Sequence, residues 1–233
     1  MNKCESKFRT LSNQNGNLFV ISAPSGAGKT SLVKAIINSR RNIKVSVSHT
    51  TRRPRPNERS GFNYYFISKK EFKLMHESGD FLEHATVFGN LYGTSRKEIG
   101  RHINKGDDLI LEIDWQGAAE IRKSDQRIID IFILPPSIGS LQRRLTKRGQ
   151  DDRKTIELRM AAALSEISHY DEFTYLIVND RFETALSEIE DILDGKGERL
   201  SLEIQRERYK ELISKLTVNS SLDSVIVRNS NCR

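Results

Sequence analysis

One segment constrains this chain more than any other. Residues 18–21 (LFVI) form a short apolar run, residues 23–30 read APSGAGKT, and Leu32, Val33, Ile36 and Ile37 follow at helical spacing. The order is buried strand, glycine-rich turn, helix. In that setting Ala23, Pro24, Ser25, Gly26, Ala27, Gly28, Lys29 and Thr30 make a phosphate-binding loop. The glycines let backbone N–H groups turn around an anion at a helix N-terminus. Lys29 reaches the outer phosphates of a nucleoside triphosphate, and Thr30 offers a hydroxyl to Mg²⁺. Ala23 stands where the general pattern has glycine.

The remainder fits an α/β chain. Residues 43–47 alternate as a half-buried strand, and 48–61, polar with Pro54 and Pro56, read as loop. Residues 63–67 and 81–88 read as strands, with a turn at Gly89-Asn90. Ser68 with Glu71, and Ser95 with Glu98, each predict a capping box; the first helix runs to about Ser78 and the second ends at Gly106. Runs 108–114, 128–134 and 175–178 have strand length. Residues 138–145, 155–167, 182–193 and 200–216 have helical periodicity, with a charged bend near Gly149 between the first two. Strands alternating with helices predict a parallel sheet flanked by helices, and the strand-rich stretch 43–95 predicts an inserted, mostly β subdomain. Residues 104–107 (NKGD) match a guanine-reading pattern of GTPases. That pattern belongs after a buried strand, whereas here it precedes one and contains the glycine of a helix stop.

Composition narrows the function classes. The chain has 233 residues and a net charge of +7, which asks for an anionic partner. Basic residues cluster at Arg52, Arg53 and Arg55 and again at Arg143, Arg144, Lys147 and Arg148, without the interleaved aromatics of a single-strand binder. Phosphorylated small molecules are therefore favoured over nucleic acid. No apolar run approaches the ~20 residues of a membrane span. Residues 1–17 lack the apolar core of a secretory signal. Cys4 and Cys232 are too few for a disulfide framework, and the five histidines show no metal-ligand spacing with them. A cytoplasmic protein without structural zinc is expected.

Taken together, APSGAGKT at 23–30, SVSHTTRRPRP at 46–56, FLEHATVFGNLYGTS at 81–95, DWQGA at 114–118, IFILPPS at 131–137, RRLTKRGQ at 143–150 and SHYDEFTYLIVND at 168–180 form a collinear series. Through it the chain resembles the guanylate kinases over about residues 17 to 216. The resemblance implies a single domain with a P-loop core (about 17–47, 96–136 and 160–216), a GMP-binding insertion (about 48–95) and a helical lid (about 137–159), while residues of about 217–233, rich in Ser and Asn, read as a flexible tail. It also implies transfer of the γ-phosphoryl group of ATP to GMP with Mg²⁺ as cofactor; dGMP is expected as a second acceptor because no identified residue reads the ribose 2′-OH.

By the same resemblance, Glu83 and Asp114 read guanine, with Ser48 and Thr94 close by. A carboxylate accepts two parallel hydrogen bonds from guanine N1–H and N2–H₂, a donor pair that adenine lacks. Arg52, Arg55, Tyr64 and Tyr92 hold the GMP phosphate, for which the planar guanidinium fork is suited. Lys29, Arg52, Arg144, Arg148 and Arg159 form the catalytic set, spreading positive charge around the transferring group. Thr30 is the metal ligand. Glu112 stands where many relatives have Asp, and Asn179 and Asp180 border the adenine end. The alternative is a guanylate-kinase-like module that has lost the chemistry and binds phosphopeptides; Lys29, Thr30 and the three lid-side arginines argue against it. Monomer and homodimer both remain open.

Overall fold

The computed structural model describes residues 16–87, 89–124, 128–147 and 153–217. Both cysteines, the charged bend at Gly149, Arg148 and all of the tail except Thr217 lie outside these residues. The chain divides into two compact units.

In the first unit (22–36 and from 130 onward), the end of β1 (Leu18–Ser22) runs through the glycine-rich loop into α1 (Lys29–Ser39), where Leu32, Val33 and Ile36 are buried. Strands β8 (Ile129–Leu134) and β9 (Tyr175–Val178) are parallel, Ile131 facing Tyr175 and Leu134 facing Val178. Near-continuous apolar runs such as IDIFIL are what a parallel strand covered on both faces requires. Ile131, Phe132, Ile133, Leu176 and Ile177 have no exposed surface. Helix α5 (Ile138–Lys147) follows β8 and contributes Leu141 and Leu145 to the core; α6 (Arg153–Ile167), α7 (Phe182–Leu193) and α8 (Leu202–Arg208) belong to the same unit. The single helix expected over 200–216 is interrupted. Tyr209 leaves the helical conformation (φ −110°, ψ 23°), and the chain resumes as α9 over 210–217.

The second unit (14–21 and 37–129) holds two sheets. Strand β7 (Asp108–Glu112) lies between β2 (Ile43–Val45) and β1, all parallel, with Phe19, Val20, Leu109 and Ile110 fully buried. The smaller sheet has the order β4 (Tyr65–Phe66), β3 (His49–Thr50), β6 (Asn90–Ser95), β5 (Phe81–Val87). Pairing is parallel between β3 and β4 and antiparallel elsewhere. Helices α2 (Lys69–Glu77), α3 (Arg96–Ile103) and α4 (Trp115–Ser124) belong to the same unit.

Several local expectations are corrected. Residues 48–61 are not all loop, because His49 and Thr50 pair with β6. Residues 90–95 form a strand although they contain Gly93. That glycine is required by packing: a Cβ there would lie 2.9 Å from the Phe81 ring. The capping box at Ser68 and Glu71 is present, with both reciprocal bonds. The one at Ser95 is not; Glu98 instead accepts a hydrogen bond from the Val47 N–H at 3.0 Å. The NKGD segment does end a helix, Gly106 adopting φ 81°. Among the described residues no helix is long and apolar enough to cross a membrane.

Candidate active site

Two sets of side chains stand out, one in each unit. In the first unit the phosphate loop is wound tightly. Gly26 and Gly28 take φ 94° and 103°, and the Ala27 N–H bonds back to the Pro24 carbonyl. The Ala27 carbonyl accepts from Arg144 Nη1 at 3.1 Å and from Asn179 Nδ2 at 2.7 Å, while Arg144 Nη2 reaches the Asn179 carbonyl at 3.0 Å. Asn179 is buried and its own N–H bonds to the Leu134 carbonyl. A Cβ on Gly28 would meet Asn179 Nδ2 at 2.3 Å, so glycine is needed there for space as well as for φ. Glu166 on α6 accepts a hydrogen bond from the Ser25 N–H at 3.2 Å, and Arg159 lies two turns earlier on that helix. Lys29 and Thr30 occupy the first turn of α1, Thr30 on the exposed side.

In the second unit the pairing of β5 with β6 sets Thr94 opposite Glu83, just after an irregularity in β5 between Phe81 and Glu83. The Thr94 hydroxyl donates to Glu83 Oε1, and Ser48 Oγ lies 3.1 Å from Thr94 Oγ1. Glu83 is 3% exposed. Burial, reinforced by the carboxylates of Asp114 and Glu120 and opposed by the Thr94 hydrogen bond, pushes it up to about 7. Asp114 follows β7 and is held from α4, accepting from the Gly117 N–H at 2.9 Å and from Gln116 Nε2 at 3.1 Å.

An aromatic and basic group accompanies this pair. The rings of Tyr64 and Tyr92 are 5.8 Å apart, and the Arg52 guanidinium lies 5.5 Å from the Tyr64 ring and 5.7 Å from Phe66. Burial chiefly, with Tyr92 and Glu112 nearby, pushes the Tyr64 phenol up to about 12, so it is a neutral hydroxyl at pH 7. Arg52 Nη2 is 2.9 Å from both oxygens of Glu58, whose Oε2 also accepts the Arg55 N–H at 2.7 Å. Asn57 adopts φ 69°, in the turn that brings Glu58 back to Arg55.

Thus Ser48, Thr94 and Glu83 are hydrogen-bonded in a chain, Asp114 is within electrostatic reach of Glu83, and Arg52, Tyr64 and Tyr92 form one cluster. Arg55 is tied to that cluster by its main chain. Arg144 is a strut of the phosphate loop, Arg159 stands on α6, and Arg148 lies outside the described residues. Sequence reasoning missed Glu58, Gly117 and the loop-bracing use of Asn179. An acid three residues past Arg55 in a basic turn was the available signal for Glu58. Among the described residues no cluster of three or more His, Cys, Asp or Glu side chains is arranged to hold a metal ion.

A glycine-rich loop between a buried parallel strand and a helix, on an α/β scaffold, defines the class of P-loop nucleotide-binding proteins. Residues 15–196 match the family model described as guanylate kinase. A guanylate kinase of Saccharophagus degradans is 54% identical over 201 residues, covering 86% of this chain and 97% of its own. One of Vibrio parahaemolyticus is 53% identical over 203 residues, with the same coverage. The crystal structure of guanylate kinase from Anaplasma phagocytophilum superposes with a TM-score of 0.65 at 33% identity, covering 86% of this chain and 98% of that one. The chain belongs to the guanylate kinase family.

Proposed function

We propose that the protein transfers the γ-phosphoryl group of ATP to GMP, giving ADP and GDP. The observation that carries the choice of acceptor is the buried Glu83 carboxylate, oriented by Thr94 and accompanied by Asp114. Guanine offers adjacent N–H donors to such a group. Adenine offers none there and would leave a buried carboxylate unpaired, a mismatch that sites of this kind reject by about 10⁴-fold or more.

Arg52, Arg55, Tyr64 and Tyr92 bind the acceptor phosphate, with Tyr64 and Tyr92 donating O–H bonds. The loop 23–30 takes the ATP phosphates, its backbone held in shape by Arg144 and Asn179. Lys29, Arg52, Arg144 and Arg159 neutralise charge that spreads over the transferring oxygens, and Arg148 is assigned with them from the sequence. Thr30 offers Mg²⁺ the hard oxygen donor it prefers, and the ion, bound there with ATP, would supply further charge neutralisation. No side chain is needed as a nucleophile, because an oxygen of the GMP phosphate attacks phosphorus in line.

The test is ADP release from Mg·ATP with GMP, dGMP, AMP, CMP and UMP offered separately. Turnover with GMP, with dGMP as a second acceptor, and little with the other three is expected. A folded protein that binds GMP but turns over none of the five overturns the catalytic reading.

A further inference from the structure

Gly117 is the third residue of α4, and its φ is not in the left-handed region, so the backbone does not demand glycine. Glycine is disfavoured relative to alanine inside a helix. Space explains it instead. A Cβ on Gly117 would lie 2.5 Å from Glu83 Oε2, 3.1 Å from Glu83 Cδ and 3.4 Å from Ile113 Cβ. The Glu83 carboxylate is thus gripped on two sides: Oε1 takes the Thr94 hydroxyl from β6, and Oε2 rests against the bare backbone of α4. The Gly117 N–H simultaneously orients Asp114 through Oδ1. Gly100, in α3 of the same unit, is a contrast, since a Cβ there would meet nothing within 4 Å.

We propose that Gly117 is a specificity-determining residue, its missing side chain making the slot in which the base-reading carboxylate of Glu83 sits while its N–H fixes the second carboxylate, Asp114. The proposal rests on the reading of Glu83 as the acceptor of guanine's N–H donors. In Gly117→Ala the methyl displaces Oε2, and because β5 and Thr94 hold the rest of Glu83, the carboxylate turns away from the plane in which it meets the base. A misplacement of that size typically costs about tenfold to hundredfold in an oriented interaction.

Three variants, Gly117→Ala, Gly100→Ala and Glu83→Gln, are assayed for the KM of GMP, the KM of ATP and kcat, and melting temperatures are measured for the parent, Gly117→Ala, Glu83→Ala and the double variant. The expected result is a GMP KM raised about tenfold or more in Gly117→Ala and Glu83→Gln, with the ATP KM within about twofold of the parent and Gly100→Ala unchanged. In the Glu83→Ala background, where the obstructing carboxylate is gone, Gly117→Ala raises the melting temperature as helix propensity dictates; beside intact Glu83 it does not. A GMP KM unmoved by Gly117→Ala while Glu83→Gln raises it overturns the role of Gly117 and leaves the base reading standing. If Glu83→Gln also leaves GMP saturation unchanged, the base reading itself fails. Equal thermal shifts in the two backgrounds overturn the packing argument whatever the kinetics. If Gly117→Ala alone does not fold, recovery of folding in the double variant supports the slot, and failure there too removes it.

Discussion

Glu83 carries a proton far more readily than an exposed glutamate, and that has consequences for both stability and binding. Its ordinary value of 4.5 is raised to about 7, chiefly by burial. The folded state therefore binds more protons than the unfolded chain between those limits. The stabilisation this confers is complete below about 4.5 and is lost as pH rises through about 7, on the order of 3 kcal/mol in all. Glu83→Gln should flatten that part of the profile. Melting the ligand-free parent and variant at pH 5 and pH 8 checks it; identical slopes would assign the titration elsewhere. Binding runs the other way, because guanine's donors need the ionised carboxylate. The KM for GMP should fall more steeply from pH 6 to pH 8 in the parent than in Glu83→Gln, where the second ionisation of the GMP phosphate, near about 6, is the common background. Lys29→Ala, by contrast, should leave the protein folded and nearly inactive at every pH, and activity within a few-fold of the parent would remove Lys29 from the mechanism.

At the scale of elements, the turn between β3 and β4 works through one acid. Glu58 holds the Arg52 side chain and the Arg55 main chain at once, so Glu58→Gln, which keeps the shape but loses the charge, should raise the GMP KM by about tenfold with a smaller change in kcat. Steady-state kinetics decide it, and an unchanged KM would make the pair incidental to binding. In the phosphate loop, Gly28→Ala faces both φ 103° and the Asn179 amide, and a loss of about 2 kcal/mol or more is expected by chemical denaturation. Elements with their own periodicity or punctuation, such as β1, α1, the capped α2 and β8, were legible in the sequence. Strands β3 and β6 were not, since His49-Thr50 is polar and Gly93 interrupts 90–95; both acquire strand geometry from partners distant in sequence. The same limit applied to the site. Carboxylates and arginines could be named from motifs, but Glu58 and Gly117 matter through neighbours that only pairing and packing bring to them.

For the molecule as a whole, the residues proposed for the two substrates segregate. Those assigned to GMP fall in the second unit, and the phosphate loop with Arg144 and Arg159 falls in the first. Amide hydrogen exchange should accordingly slow around 48–52, 91–94 and 114–117 with GMP, and around 24–30 with a non-hydrolysable ATP analogue. Protection of both sets by either ligand alone would contradict that division. The brace on the phosphate loop has a further consequence, for synthesis. Asn179 is 152 residues from the carbonyl it holds at Ala27. At ~5–20 residues per second the ribosome takes about 8 to 30 s to cover that interval. Nascent chains through most of translation therefore carry the loop's sequence without the side chain that shapes it, and competence to bind nucleotide arrives late, when the end of β9 has emerged.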